Sequence, residues 1–182
     1  MTDFTQLGPP APIFISPMSP WALGVELAAN ATVAPVLTLT QVTANLLRAY
    51  PFSLPEPMQV QKFWWYNGST VTASTTVDVG VYNEDYTLLG HGTATQATIS
   101  ILQEVAPAAT TILDRGRYYF ALVADKTTTT FASHTSTVQL CKAMGMWQTA
   151  LGSSVLTARP TAATYVAGSV FICGLSGRTL VV

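Results

Sequence analysis

TVDVGVYNEDYTLLG at residues 76–90 and ILDRGRYYFALVAD at residues 112–125 decide the fold class. Val77, Val79 and Val81 alternate with Asp78, Gly80 and Tyr82, the period of two that marks a half-buried strand. In the second stretch a polar Asp114-Arg115-Gly116 turn precedes Tyr118, Phe120 and Leu122, which alternate with Tyr119, Ala121 and Val123. Aromatic and β-branched side chains of this kind suit a pleated, packed surface. Each stretch reads as a strand joined to a turn.

Outward from these two, residues 36–40, 48–54, 58–66, 73–82, 88–93, 98–105 and 117–125 read as further strands or extensions of the same ones. Asn67-Gly68 follows Trp64-Trp65-Tyr66 and is a strong hairpin-turn signal. Residues 138–147 and 155–157 fit no single period, and 165–173 read as a final core strand before Gly174 and Gly177. Many short strands with turn signals between them point to an all-β protein, an antiparallel β-sandwich or jelly roll. Without a repeat or a heptad, the sequence argues against a solenoid, a β-helical shaft and a coiled-coil stalk.

Nine of the 11 prolines precede residue 58: Pro9, Pro10, Pro12, Pro17, Pro20, Pro35, Pro51, Pro55 and Pro57. Such density opposes regular helix and restricts strand pairing to edges. Residues 1–32 are expected to form an extended proline-rich arm and residues 33–182 the β-domain, with a helical turn at most around 23–29. Ile13, Phe14, Ile15, Met18 and Trp21 give the arm an apolar cluster that a solvent-facing linker would not carry. It needs a surface, either its own domain or a neighbouring subunit, and the neighbour is the reading favoured here.

Charged residues make up 9% of the chain and hydrophobic residues 49%, against about 25% charged in an average soluble domain. Either neutral polar runs such as Thr127-Thr128-Thr129-Thr130 cover the surface or a good part of it is buried between subunits, and a permanent assembly is the expectation, because permanent interfaces are poor in charge and rich in aromatics. A net charge of −1, without a basic stripe, argues against nucleic-acid binding. No stretch approaches the roughly 18 apolar residues of a spanning helix. MTDFTQLGPP lacks the basic and apolar regions of a secretion signal, so synthesis in a cytoplasm is expected. Cys141 and Cys173 read as buried thiols.

Residues suited to catalysis are sparse. His91, between Gly90 and Gly92, and His134, among serines and threonines, read as exposed loop residues, with the two glycines serving positive φ in a turn. The sequence lacks metal-ligand spacings, a nucleophile elbow and a phosphate-binding loop. Asp78, Glu84 and Asp85 form the nearest approach to a carboxylate cluster. Calcium binding or glycoside hydrolysis are the uses open to such a group, but Asn83-Glu84-Asp85 follows a strand and suits turn closure better. No enzyme activity, cofactor or metal is expected. Trp64 and Trp65 are consecutive and cannot both point into one core. The outward one is a candidate interface anchor, or a platform for a sugar face.

Asp78-Val79-Gly80-Val81-Tyr82 and Arg115-Gly116-Arg117-Tyr118-Tyr119-Phe120-Ala121-Leu122 together resemble the jelly-roll modules of tailed-bacteriophage virion proteins, a family of fibre, spike and capsid-decoration proteins. Arg115 stands where that family often has proline. The resemblance, over roughly residues 45–132, implies a jelly-roll-like sandwich and a non-enzymatic virion protein made in the host cytoplasm. Short length, one globular module and the apolar arm make a homotrimeric decoration or cement protein on the major capsid protein the expected role. The alternative is a tail-fibre or spike module that binds host surface polysaccharide through Trp64 or Trp65.

Overall fold

The computed structural model describes residues 13–15, 38–41, 43–72, 74–135, 137–164 and 169–180. Their strands form antiparallel sheets throughout, and the protein is all-β with two main sheets face to face. The front sheet runs in the order β1 (Ile13–Ile15), β14 (Cys173–Thr179), β4 (Met58–Tyr66), β7 (Leu102–Val105). Strand β8 (Thr111–Leu113) shares the β7 edge of β4, pairing with Met58–Val60 while β7 pairs with Phe63–Tyr66. The back sheet runs β12 (Ala163–Thr164), β11 (Trp147–Ala150), β3 (Leu46–Leu54), β9 (Gly116–Ala124), β5 (Thr76–Asn83), β6 (Leu88–Thr95). A small third sheet joins β13 (Ser169–Phe171), β10 (Thr130–Thr135) and β2 (Thr38–Gln41).

The core between the main sheets takes one phase of each strand: Tyr50, Phe52 and Leu54 from β3, Phe63 and Trp65 from β4, Val77, Val79 and Val81 from β5, Phe120 and Leu122 from β9, Leu175 from β14. The other phase of the back sheet is buried as well. Leu47, Ala49, Tyr82, Tyr119, Ala121, Val123 and Trp147 lie under residues 151–162, with Leu156 at the centre. The half-buried strand expected over 76–82 is therefore buried on both faces. Asp78 holds the Leu156 amide at 2.8 Å, Tyr82 Oη donates to the Thr157 carbonyl at 2.9 Å, and the Leu88 amide donates to Ala158. Tyr82, Tyr86 and Tyr119 ring the Trp147 indole at centroid distances of 5.1–5.9 Å.

Proline and glycine placement follows from packing. Pro51 sits inside β3 opposite Tyr119, but β11 on the other side ends at the Trp147–Ala49 pair. The missing N–H therefore falls where β3 is locally an edge. Gly90 and Gly92 lie in β6, not in a turn, and neither has positive φ. A Cβ on Gly90 would collide with Thr111, and one on Gly92 with the Ala106 carbonyl, so these glycines let β6 approach the chain as it crosses to the front sheet. Residues 138–147, which fit no period, divide into α1 (Val138–Ala143) and β11; the Thr137 side chain caps the helix by accepting from the Leu140 amide at 3.1 Å. The helical turn expected around 23–29 lies outside the described residues.

Candidate interaction surface

The Trp64-Trp65 pair divides between inside and outside. Trp65 is 0% exposed in the core, so a surface role falls to Trp64, which is half-buried on the outer face of the front sheet. Cross-strand register places Glu104 and Gly174 beside Trp64, Lys62 opposite Ser176, and Leu102 beside Tyr66 on that face. The indole N–H of Trp64 is buried without an acceptor.

Asn67-Gly68 is not a hairpin. Residues 58–66 and 76–83 belong to different sheets, and Asn67 instead bridges to Phe131 with its side chain fully buried. Its carboxamide accepts from Trp65 Nε1 at 2.8 Å and Gln96 Nε2 at 2.9 Å, and donates to the Thr98 carbonyl at 2.8 Å and Gln103 Oε1 at 3.0 Å. Every hydrogen-bonding position of the amide is used. Gln103 adds bonds to Ala97 and Thr95, and the Thr129 hydroxyl donates to Gln96. Gly68 is glycine because Thr130 occupies the space of a Cβ.

This network braces the connection between β6 and β7 from beneath. Asn67 donates its backbone N–H to Ile101, Ser100 donates to Gly68, and Tyr66 Oη donates to the Ser100 carbonyl at 2.8 Å. Ser100 takes the left-handed conformation at φ 55°, a strained state that the surrounding bonds must over-determine. On top of that frame sit Ile99, Ile101 and Leu102, exposed by 52, 41 and 48%. Exposed apolar side chains are common singly; here three lie close together beside Tyr66, on the hydrogen-bonded loop and the first residue of β7.

Titratable groups are engaged elsewhere. The imidazole Nδ1 of His91 lies 3.0 and 3.1 Å from the two Asp78 carboxylate oxygens, with His91 in β6 and Asp78 completely buried in β5. Spacing gave no sign of this pair, because it depends on β5–β6 register and on the 151–162 cover. Burial, reinforced by the Asp78 charge, pushes the Tyr82 phenol far above its ordinary range. Asn83 closes the following turn as expected, accepting from the Asp85 and Thr87 amides. Asp78, Glu84 and Asp85 do not gather: among the described residues no group of three or more His, Cys, Asp or Glu is arranged to hold a metal. Cys141 and Cys173 are buried thiols outside any disulfide, and burial drives the Cys173 thiol well above its usual range. Arg48, 5% exposed, lies over the Phe171 ring at 4.7 Å, a cation–π contact that compensates part of its desolvation.

Of the arm residues, Ile13, Phe14 and Ile15 form β1 and pair with Gly177, Ser176 and Leu175. Met18 and Trp21 lie outside the described residues, as does most of the expected arm over 1–32. No described helix is long and apolar enough to cross a membrane. No protein-family model matches the chain, and no curated protein sequence matches it.

Proposed function

We propose that this chain is a non-enzymatic structural protein of a tailed-bacteriophage virion, a jelly roll that forms a homotrimer and decorates the capsid lattice. The observation that carries the assembly reading is the braced loop with Ile99, Ile101 and Leu102 outward. A chain with 9% charged residues and a rigid apolar loop has the composition and geometry of a permanent association surface.

Strand order supports the jelly roll. With β7 and β8 taken as one interrupted strand, and β2 and β10–β13 as additions, eight strands remain. The front sheet then reads first, eighth, third, sixth, and the back sheet second, seventh, fourth, fifth. Two Greek keys wound in this way make a jelly roll, an architecture of viral capsid and lectin domains. The Asp78–His91 pair fits a structural use, since the same carboxylate holds the Leu156 amide in place.

The experiment combines location with association. Labelling this chain in native particles for electron microscopy is expected to decorate the capsid; copies confined to the tail overturn the decoration role. Light scattering is expected to give a trimer, and Ile99→Ser with Leu102→Ser to weaken it while the far-ultraviolet circular dichroism spectrum stays that of a folded β protein. A wild-type monomer overturns the assembly reading.

One observation favours a second reading. Trp64 lies half-buried on the outer face of the front sheet, with exposed Glu104 across from it and exposed Lys62 two residues along β4, and an aromatic face rimmed by polar groups is how proteins stack on sugars. That reading makes the chain a tail-fibre or spike module for host polysaccharide. Titration with host surface polysaccharide, together with tail-only labelling, would select it.

A further inference from the structure

We propose that Ile13–Ile15 is an exchangeable strand, donated in the assembled protein to the β14 edge of a neighbouring copy. This rests on the reading of the chain as a self-assembling module and names the contact that joins its copies.

The docking site is an edge. Strand β14 is fixed on one side by pairing with β4 from Met58 to Trp65. Gly177 marks the tightest point, where the Gln59 carbonyl and the Met58 side chain fill the position of a Cβ. The other side of β14 presents its ladder groups to β1, through the pairs Ile13–Gly177, Phe14–Ser176 and Ile15–Leu175. Left bare, that edge would be a template for any passing strand. The fold therefore requires an occupant, and the arm supplies one of three residues.

Nothing in that docking depends on which copy the strand comes from. Residues 16–37 separate Ile15 from Thr38. A segment of that length spans at most roughly 70 Å, against roughly 40 Å across a domain of this size. The strand pairings are the same within one chain and between two, so effective concentration decides between them. A three-residue strand docks weakly enough to exchange, and a neighbour in an oligomer competes at high local concentration. Donation around a ring gives a closed heterologous assembly, and swapping an element already shaped for its site is a low-cost route to one.

Phe14 and Ser176 are direct cross-strand partners; such Cα atoms lie about 4.5–5.5 Å apart, within disulfide range. The test is the full-length Phe14→Cys/Ser176→Cys variant, mildly oxidised and run on a denaturing gel without reductant. Strand exchange predicts covalent dimers and trimers that are absent from either single variant; Cys141 and Cys173 are buried and do not compete. A monomer band carrying an internal crosslink, or crosslinking in a single variant, overturns the proposal. A second variant, Ile13→Pro with Phe14→Pro, removes a ladder donor whichever of the two amides faces β14, without cysteine chemistry, and light scattering should then show loss of the oligomer. An unchanged oligomer overturns strand exchange. A wild-type oligomer with only internal crosslinks removes strand exchange and leaves the assembly reading standing, whereas a wild-type monomer removes both.

Discussion

Asp78 and His91 face each other across β5 and β6, a fully buried carboxylate against an imidazole that remains about one-third exposed. With the carboxylate accepting, Nδ1 carries the proton, and the Asp78 oxygen that also takes the Leu156 amide ties residues 151–162 to the back sheet. The pair acts as a clasp between an edge strand and the segment that covers the sheet.

Asp78→Ala should therefore cost about 2–4 kcal/mol, because it leaves the Leu156 amide buried without an acceptor. Urea unfolding at neutral pH measures the loss, and hydrogen exchange should locate it at Leu156 and its neighbours. Asp78→Asn keeps an acceptor and should lose less. A cost below about 0.5 kcal/mol for Asp78→Ala would show that the clasp contributes nothing.

Asn67 is the centre of the loop brace, and Asn67→Ala leaves Trp65 Nε1 and one Gln96 bond without their acceptor. A loss of about 2–4 kcal/mol is expected, with faster exchange at the Ser100 amide. If Ser100 stays protected while stability falls, the carboxamide supports the core and not the loop.

Gly90 and Thr111 are in contact between β6 and β8. Gly90→Ala should destabilise by about 1–3 kcal/mol through overpacking, and Thr111→Ala should restore part of that in the double variant. A double-mutant cycle on thermal or chemical unfolding reads the coupling. Simple additivity would place the strain elsewhere.

Alkaline pH should unfold the protein through its tyrosines. Burial raises the phenols of Tyr82, Tyr118 and Tyr119 above the ordinary value of 10.0, with Asp78 adding to the effect at Tyr82. A phenol whose pKa is raised in the fold keeps its proton there, while the unfolded chain releases it near that value. Stability is full below about pH 10 and falls as pH rises beyond it. Ultraviolet titration of phenolate should show late-ionising tyrosines in the folded protein. Tyr82→Phe should flatten the alkaline fall.

Local pattern was enough where local pattern decides. The apolar phase of Met58–Tyr66 ended at Asn67, and β4 has those bounds; the Tyr118–Val123 alternation became the centre of the back sheet. Where distant segments decide, the sequence misled. Asn67-Gly68 has the composition of a turn, yet the pair is held by Thr130 and Phe131. Gly90 and Gly92 resemble turn glycines, and their reason lies in Thr111 and Ala106. His91 and Asp78 look unrelated until strand register brings them together. The apolar loop at 99–102 was legible only as part of a strand, since its exposure follows from a network spanning Trp65 to Thr129.

The pairing of β1 with β14 joins the earliest described strand to the latest. During synthesis at about 5–20 residues per second, roughly ten to thirty seconds pass between the two leaving the ribosome. Through that interval Ile13–Ile15 has no partner on its own chain. Under the proposed strand exchange, the β14 edge of a copy already finished is open to it for the whole of that interval.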